Sequence, residues 1–146
     1  MDLQRLERIP SIKAVMTPFP YTLAVEAALS SAEAIMHEHG VRHVPVESAG
    51  RIVGIVSDED LHRASRAGSP GGDPRVGDFC VSEPYVVDLE TRLDHVLAQM
   101  AQRRVAAVLI TRGGKLVGIF TTTDACQELA DALRARFAPS GGNSAA

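Results

Sequence analysis

The 146-residue chain has no tryptophan, 4% aromatic residues and two cysteines. With so few large rings, a core must be packed from small aliphatic side chains fitted closely together. Cys80 and Cys126 form no CxxC pair, which removes the usual zinc-ribbon and redox patterns and leaves both read as small buried hydrophobes in a reducing compartment. No stretch approaches the roughly 20 apolar residues of a membrane span. The opening MDLQRLERIPSIK alternates charged and apolar residues and lacks the apolar core of a secretory signal. A cytoplasmic protein with no membrane partner is expected.

Charge of one sign is also missing. Fifteen basic residues face eighteen acidic ones for a formal charge of −3, and neither sign gathers into a block that could follow a phosphate backbone, so nucleic acid is not an expected partner. There is no P-loop, GxGxxG or nucleophile elbow, and Asp58-Glu59-Asp60 lacks the pairing of a glycosidase or two-metal site. His37 and His39 are two apart on one helix and point to different faces. The expectation is no enzyme, no resident metal and no required cofactor.

What the chain does have is a repeat. Shifting it by 64 positions aligns residues 12–61 with 76–125 without a gap, and 13 of the 50 pairs are identical, among them Pro20/Pro84, Tyr21/Tyr85, Met36/Met100, Gly54/Gly118, Ile55/Ile119 and Asp60/Asp124. Each copy opens on a short predicted strand, Pro20–Leu23 or Pro84–Val87. A helix follows, with Leu29, Ala32, Ile35 and Met36 in the first copy and Leu93, Val96, Leu97 and Met100 in the second forming one apolar stripe. Gly40 is placed to end the first helix. Two apolar runs, 41–46 and 52–56, echoed by 105–110 and 116–120, read as strand, turn and strand before a last helix.

The fold class is therefore α+β: two β-α-β-β-α motifs of about fifty residues, each below comfortable self-sufficiency and expected to pack through their sheets about a pseudo-twofold axis. The boundaries are residues 12–66 for the first motif, 67–75 for a Gly- and Pro-rich linker, 76–135 for the second motif and 136–146 for a disordered tail.

The most repeated words are GIVSDED and GIFTTTD. Ser57-x-x-Asp60 and Thr121-x-x-Asp124 each stand where a strand meets a helix, the spacing of a capping box. Capping alone explains the hydroxyl and the carboxylate. It does not require the preceding Gly54 and Gly118, which let another group approach the strand backbone, and helix-start N–H groups favour acceptor oxygens.

With Val41-Arg42-His43-Val44-Pro45-Val46 and Gly50-Arg51-Ile52-Val53-Gly54-Ile55-Val56-Ser57-x-x-Asp60-Leu61, echoed through Gly118-Ile119-Phe120-Thr121-x-x-Asp124, the chain resembles the CBS-domain family, as a tandem pair or Bateman module. The resemblance implies a stand-alone regulatory module holding an adenosyl ligand between its halves, AMP first and ADP, ATP or S-adenosylmethionine as alternatives. It also implies a homodimer paired through helices and an output to a regulated protein in trans. The rival reading is a ligand-free dimerisation or docking module whose two motifs are only helix caps.

Residue by residue, the resemblance makes Asp60 and Asp124 ribose binders, with Ser57 and Thr121 on sugar or phosphate and Ile55 and Ile119 lining the pockets. The Asp60 site would borrow Val81, Tyr85 and Val105 from the other half, and the Asp124 site Thr17, Tyr21 and Val41. Arg42 and His43 supply phosphate-facing groups to the first site, where the second has Ala106 and Ala107. The Asp60 site is thus expected to prefer a phosphorylated ligand. Arg63 and Arg66 are read as an ordinary solvated helix face, with compensation for Glu59 beside a phosphate as the alternative.

Overall fold

The computed structural model describes residues 2–68 and 72–137, so the middle of the expected linker and most of the expected tail lie outside the described residues. In chain order the first copy contributes β1 (Thr17–Pro18), β2 (Leu23–Ala24), α1 (Leu29–His39), β3 (His43–Ser48), β4 (Arg51–Ser57) and α2 (Asp58–Ala67). A short α3 (Val76–Phe79) leads into β5 (Val81–Ser82), β6 (Val86–Asp88), α4 (Leu93–Arg103), β7 (Ala107–Arg112), β8 (Lys115–Thr121) and α5 (Thr122–Arg136).

The apolar stripes form helices as their period requires. Leu29, Ala32 and Met36 are buried on α1, and Leu93, Val96 and Met100 on α4. Leu97 departs from the stripe and is 38% exposed. Gly40 ends α1 in the left-handed conformation at φ 65°, its N–H donating to the Met36 carbonyl.

The paired apolar runs become the hairpins β3–β4 and β7–β8. Their turns at Ala49-Gly50 and Gly113-Gly114 have positive φ at both central residues, the conformation that matches strand twist. Each left-handed position in the first copy, Phe19, Gly40, Ala49 and Gly50, recurs 64 residues on as Glu83, Arg104, Gly113 and Gly114. The backbone repeats where the side chains do not.

The short opening strands fall slightly later than their prolines suggest, as β2 and β6, parallel to β3 and β7. Two further strands, β1 and β5, lie before those prolines and cross over. One sheet has the order β2-β3-β4-β5 and the other β1-β8-β7-β6, so each half completes the other's sheet. The exchange continues outward in matched bonds. The Ile12 N–H reaches the Thr91 carbonyl and the Leu93 N–H the Pro10 carbonyl, just as Val76 reaches Ala27 and Leu29 reaches Pro74, all at 2.8 to 2.9 Å.

Two aliphatic cores result. Val44, Val46 and Val56 pack with α1 in the first, and Val108, Ile110 and Phe120 with α4 in the second. Fully buried Val76 of the second copy sits in the first core, and fully buried Ile12 of the first copy sits in the second. β4 and β8 approach each other between them. Cys80 packs at the edge of the first core, but Cys126 is exposed on α5 and so is not the buried hydrophobe its composition suggests. Among the described residues no helix is long and apolar enough to cross a membrane.

Candidate functional site

Each sheet hands its chain to a helix through the repeated motif. At the end of β4 the Asp60 N–H donates to Ser57 Oγ at 3.2 Å, and the Ser57 N–H donates to Asp60 Oδ2 at 2.8 Å. At the end of β8 the Asp124 N–H donates to Thr121 Oγ1 at 3.3 Å and the Thr121 N–H to Asp124 Oδ2 at 2.8 Å. Both are complete capping boxes, so two orphan N–H groups are satisfied at each helix start.

Beyond the shared box the two carboxylates differ. Asp60 is only 2% exposed, and its second oxygen, Oδ1, accepts from the Arg63 guanidinium. Arg63 does lie on a solvated face, its side chain 61% exposed, and its guanidinium also turns back one helical turn to pair with the buried acid. The i, i+3 spacing that brings these two together is visible in the sequence. In the second copy the matching residue is Gln127, whose amide donates to Asp131 instead, at 2.9 Å. Asp124 is half-buried, and the Thr121 hydroxyl adds a second bond to its Oδ2 at 3.0 Å. Its Oδ1 has no hydrogen-bond partner among the described residues.

The crossing strands bring residues of the opposite half to each motif. Ile55 stands opposite Val81, and Ile119 opposite Thr17. The glycines are explained by the same crossing. A Cβ at Gly54 would stand 2.7 Å from the Val81 carbonyl oxygen and 2.9 Å from the Cys80 sulfur, and one at Gly118 would overlap the Met16 thioether. The group that approaches the strand closely is therefore the other half of the protein, and Met16 and Cys80 are its uncounted members. Phe19 and Glu83, both left-handed and 64 residues apart, mark the same bend after each crossing strand.

The remaining expected wall residues are placed mainly by their own halves. Tyr21 is half-exposed and stacks on His39 of α1 with ring centroids 3.8 Å apart. Tyr85 is buried in the second core, where Arg103 lies 4.3 Å over its ring. The Tyr85 hydroxyl has no hydrogen-bond partner among the described residues, and burial pushes its pKa up, against the pull of Arg103. Val41 packs on the first core and Val105 on the second.

Where a phosphate is expected from the resemblance, the Asp58 N–H donates to the Arg42 carbonyl at 3.0 Å, which fixes exposed Arg42 beside the start of α2. The matching bond, Thr122 to Ala106 at 2.9 Å, puts a methyl group in the equivalent place. His43 opens β3 opposite Ser57. Burial lowers its pKa below the ordinary 6.5, outweighing Asp58, Asp60 and Glu59, which pull it up. His43 thus holds a proton less readily than an ordinary imidazole. Burial and then the Asp60 charge also raise the Cys80 pKa, keeping it a thiol. Among the described residues no group of three or more His, Cys, Asp or Glu side chains could hold a metal.

Fold and site together define a two-repeat module whose halves exchange strands and carry one capped carboxylate each. The CBS domain family matches residues 12–67 and 76–131, and the chain belongs to that family as a tandem pair. Protein YlbB of Bacillus subtilis is 30% identical over 115 residues, covering 77% of this chain and 78% of its own. An inosine-5'-monophosphate dehydrogenase of Korarchaeum cryptofilum is 27% identical over 104 residues, 70% of this chain but only 21% of that enzyme, so the match spans about a fifth of its length. The CBS domain pair of protein MJ0100, solved in complex with 5'-methylthioadenosine and S-adenosyl-L-methionine, superposes with a TM-score of 0.76 at 20% identity, covering 85% of this chain and 98% of that one. CBSX2, solved in complex with AMP, superposes with a TM-score of 0.74 at 21% identity, over 84% and 97% of the two chains.

Proposed function

We propose that the chain is a regulatory sensor that binds an adenosyl ligand, AMP by preference, between its two CBS domains and so alters a partner protein in trans. The observation that carries this reading is the composite make-up of each motif. The strand leading to Asp60 is paired with Val81 of the second copy, and the strand leading to Asp124 with Thr17 of the first. A ligand lying against either motif touches both halves, so its binding energy depends on how the halves are arranged. That dependence is what a sensor needs, because a ligand shifts a conformational equilibrium only by its differential affinity. The carboxylates are suited to vicinal hydroxyls and Arg42 to a phosphate, and the likeness to ligand-bearing CBS pairs points to the same chemical class. ADP, ATP and S-adenosylmethionine are the alternatives, and no catalysis is assigned to the chain.

Titration calorimetry with AMP, ADP, ATP, NAD and S-adenosylmethionine on protein stripped of carried-over ligand tests the reading. AMP is expected to bind at sub-millimolar concentration, and silence across the panel would sink it. The second reading, a ligand-free docking module, is favoured by α5. That helix buries none of its residues and leaves Leu129 60% and Leu133 51% exposed, with Phe137 just beyond its end at 74%. In the sensor reading this seam meets a second copy in a homodimer. Leu133→Asp should then halve the mass seen by light scattering at micromolar concentration, and an unchanged mass would remove α5 from the interface.

A further inference from the structure

We propose that Arg63 is a latch on Asp60 that makes the first site selective for phosphorylated ligands, while the second site, lacking it, accepts uncharged ones. The inference rests on the sensor reading above and concerns how its two sites divide the work. Asp60 is almost wholly buried, and both its oxygens are engaged, Oδ2 by the Ser57 N–H and Oδ1 by the Arg63 guanidinium. A sugar diol approaching Oδ1 must displace that guanidinium. If the ligand is an uncharged nucleoside, the displaced cation finds no replacement partner, and an ion pair is exchanged for hydroxyl bonds in which only the carboxylate is charged.

A phosphate changes the balance. Arg63 already reaches back over the first turn of α2, the turn whose Asp58 N–H donates to the Arg42 carbonyl. Released from Asp60, the guanidinium can pair with the phosphate, while the ribose hydroxyls take its place on the carboxylate. Asp58, Glu59 and Asp60 make this turn acidic, so without Arg63 a phosphate would face three acids with Arg42 alone. In the second copy Gln127 is tied to Asp131, Asp124 keeps Oδ1 open, and Ala106 replaces Arg42. That site has neither a latch to open nor a cation to hold a phosphate.

Arg63→Gln, which copies the second half, separates the possibilities when wild type and variant are titrated with adenosine and with AMP. Wild type should bind one adenosine per chain and the variant two. AMP affinity at the Asp60 site should fall about tenfold in the variant, the loss of one charge-assisted contact. Arg63→Lys, which keeps the charge without the fork, should lie between. Thermal unfolding of each variant checks that this exposed position leaves the fold intact. An unchanged adenosine stoichiometry, or equal losses for both ligands, would overturn the latch while leaving the sensor standing. Binding of neither ligand to either protein would overturn the latch, and with it AMP as the sensor's ligand.

Discussion

The repeat makes Gly54 and Gly118 look interchangeable, yet Gly54→Ala and Gly118→Ala should differ sharply in cost. A methyl at Gly54 meets the Val81 carbonyl oxygen at 2.7 Å and the Cys80 sulfur at 2.9 Å. The carbonyl belongs to β5, held in register with β4 through the Gly54/Ser82 and Ile55/Val81 pairs, and cannot retreat without opening that pairing. A methyl at Gly118 meets chiefly the sulfur of Met16, with Met16 Cγ at 3.0 Å and Cβ at 3.3 Å. An unbranched thioether can rotate aside. Overpacking costs about 1–3 kcal/mol, and replacing glycine by alanine returns about 0.4–1 kcal/mol through the unfolded chain. The net cost is then about 1–2 kcal/mol at Gly54 and close to zero at Gly118. For a domain of this size about 1 kcal/mol corresponds to roughly 3 °C in Tm. Gly54→Ala should lower Tm by about 3–6 °C and Gly118→Ala by less than about 2 °C, read by circular dichroism. Cys80→Ala should rescue Gly54→Ala only in part, because the carbonyl remains. Equal shifts, or a larger one at Gly118, would refute the distinction between backbone and side-chain neighbours.

The capping boxes should each contribute measurably. Ser57→Ala and Thr121→Ala are expected to cost about 1 kcal/mol apiece, read as a lower urea midpoint at constant slope. His43 should add a pH dependence of known sign. Its folded pKa is depressed, so the unfolded chain takes up the proton first, and stability is lost as pH falls below the ordinary 6.5. Urea midpoints between pH 7.5 and 5.5 should fall more steeply for wild type than for His43→Gln, and parallel lines would refute this.

The elements that local pattern controls were legible from sequence. A 3.6-residue stripe predicts α1 and α4, and paired apolar runs predict both hairpins, because these signals lie within a few residues of one another. β1 and β5 were not, since two-residue strands carry no period and their partners lie in the other copy. The motif glycines were legible as close approaches but not as to what approaches, because Met16 and Cys80 differ in identity and are aligned only by the shift of 64. Arg63 was the reverse case. Its i, i+3 relation to Asp60 was in plain view, yet on a polar helix the same spacing also describes a solvated face, and only the burial of Asp60 singles out the pairing. His43 shows the same limit, since its charge depends on desolvation that a sequence does not record.

The exchange of segments has a consequence for cooperativity. Ile12 belongs to the first copy by sequence and to the second core by packing, and Val76 the reverse. Neither core is complete on the residues of its own repeat, so neither half can be lost while the other keeps its packing. A fragment ending at residue 68 retains α1 and α2 but lacks Val76 and the β5 pairing, and a fragment starting at residue 72 lacks Ile12 and β1. Each alone should show little fixed tertiary structure, and mixing the two should restore near-ultraviolet dichroism through the native exchange. Ile12→Ala, which truncates a fully buried side chain, should cost about 2–5 kcal/mol. The loss should appear in one transition that a probe on either half reports alike. Independent folding of either fragment, or separate transitions for the two halves in Ile12→Ala, would contradict this. Such coupling is also what the proposed ligand between the halves would exploit, since Val81 and Thr17 at the two motifs belong to the crossing strands.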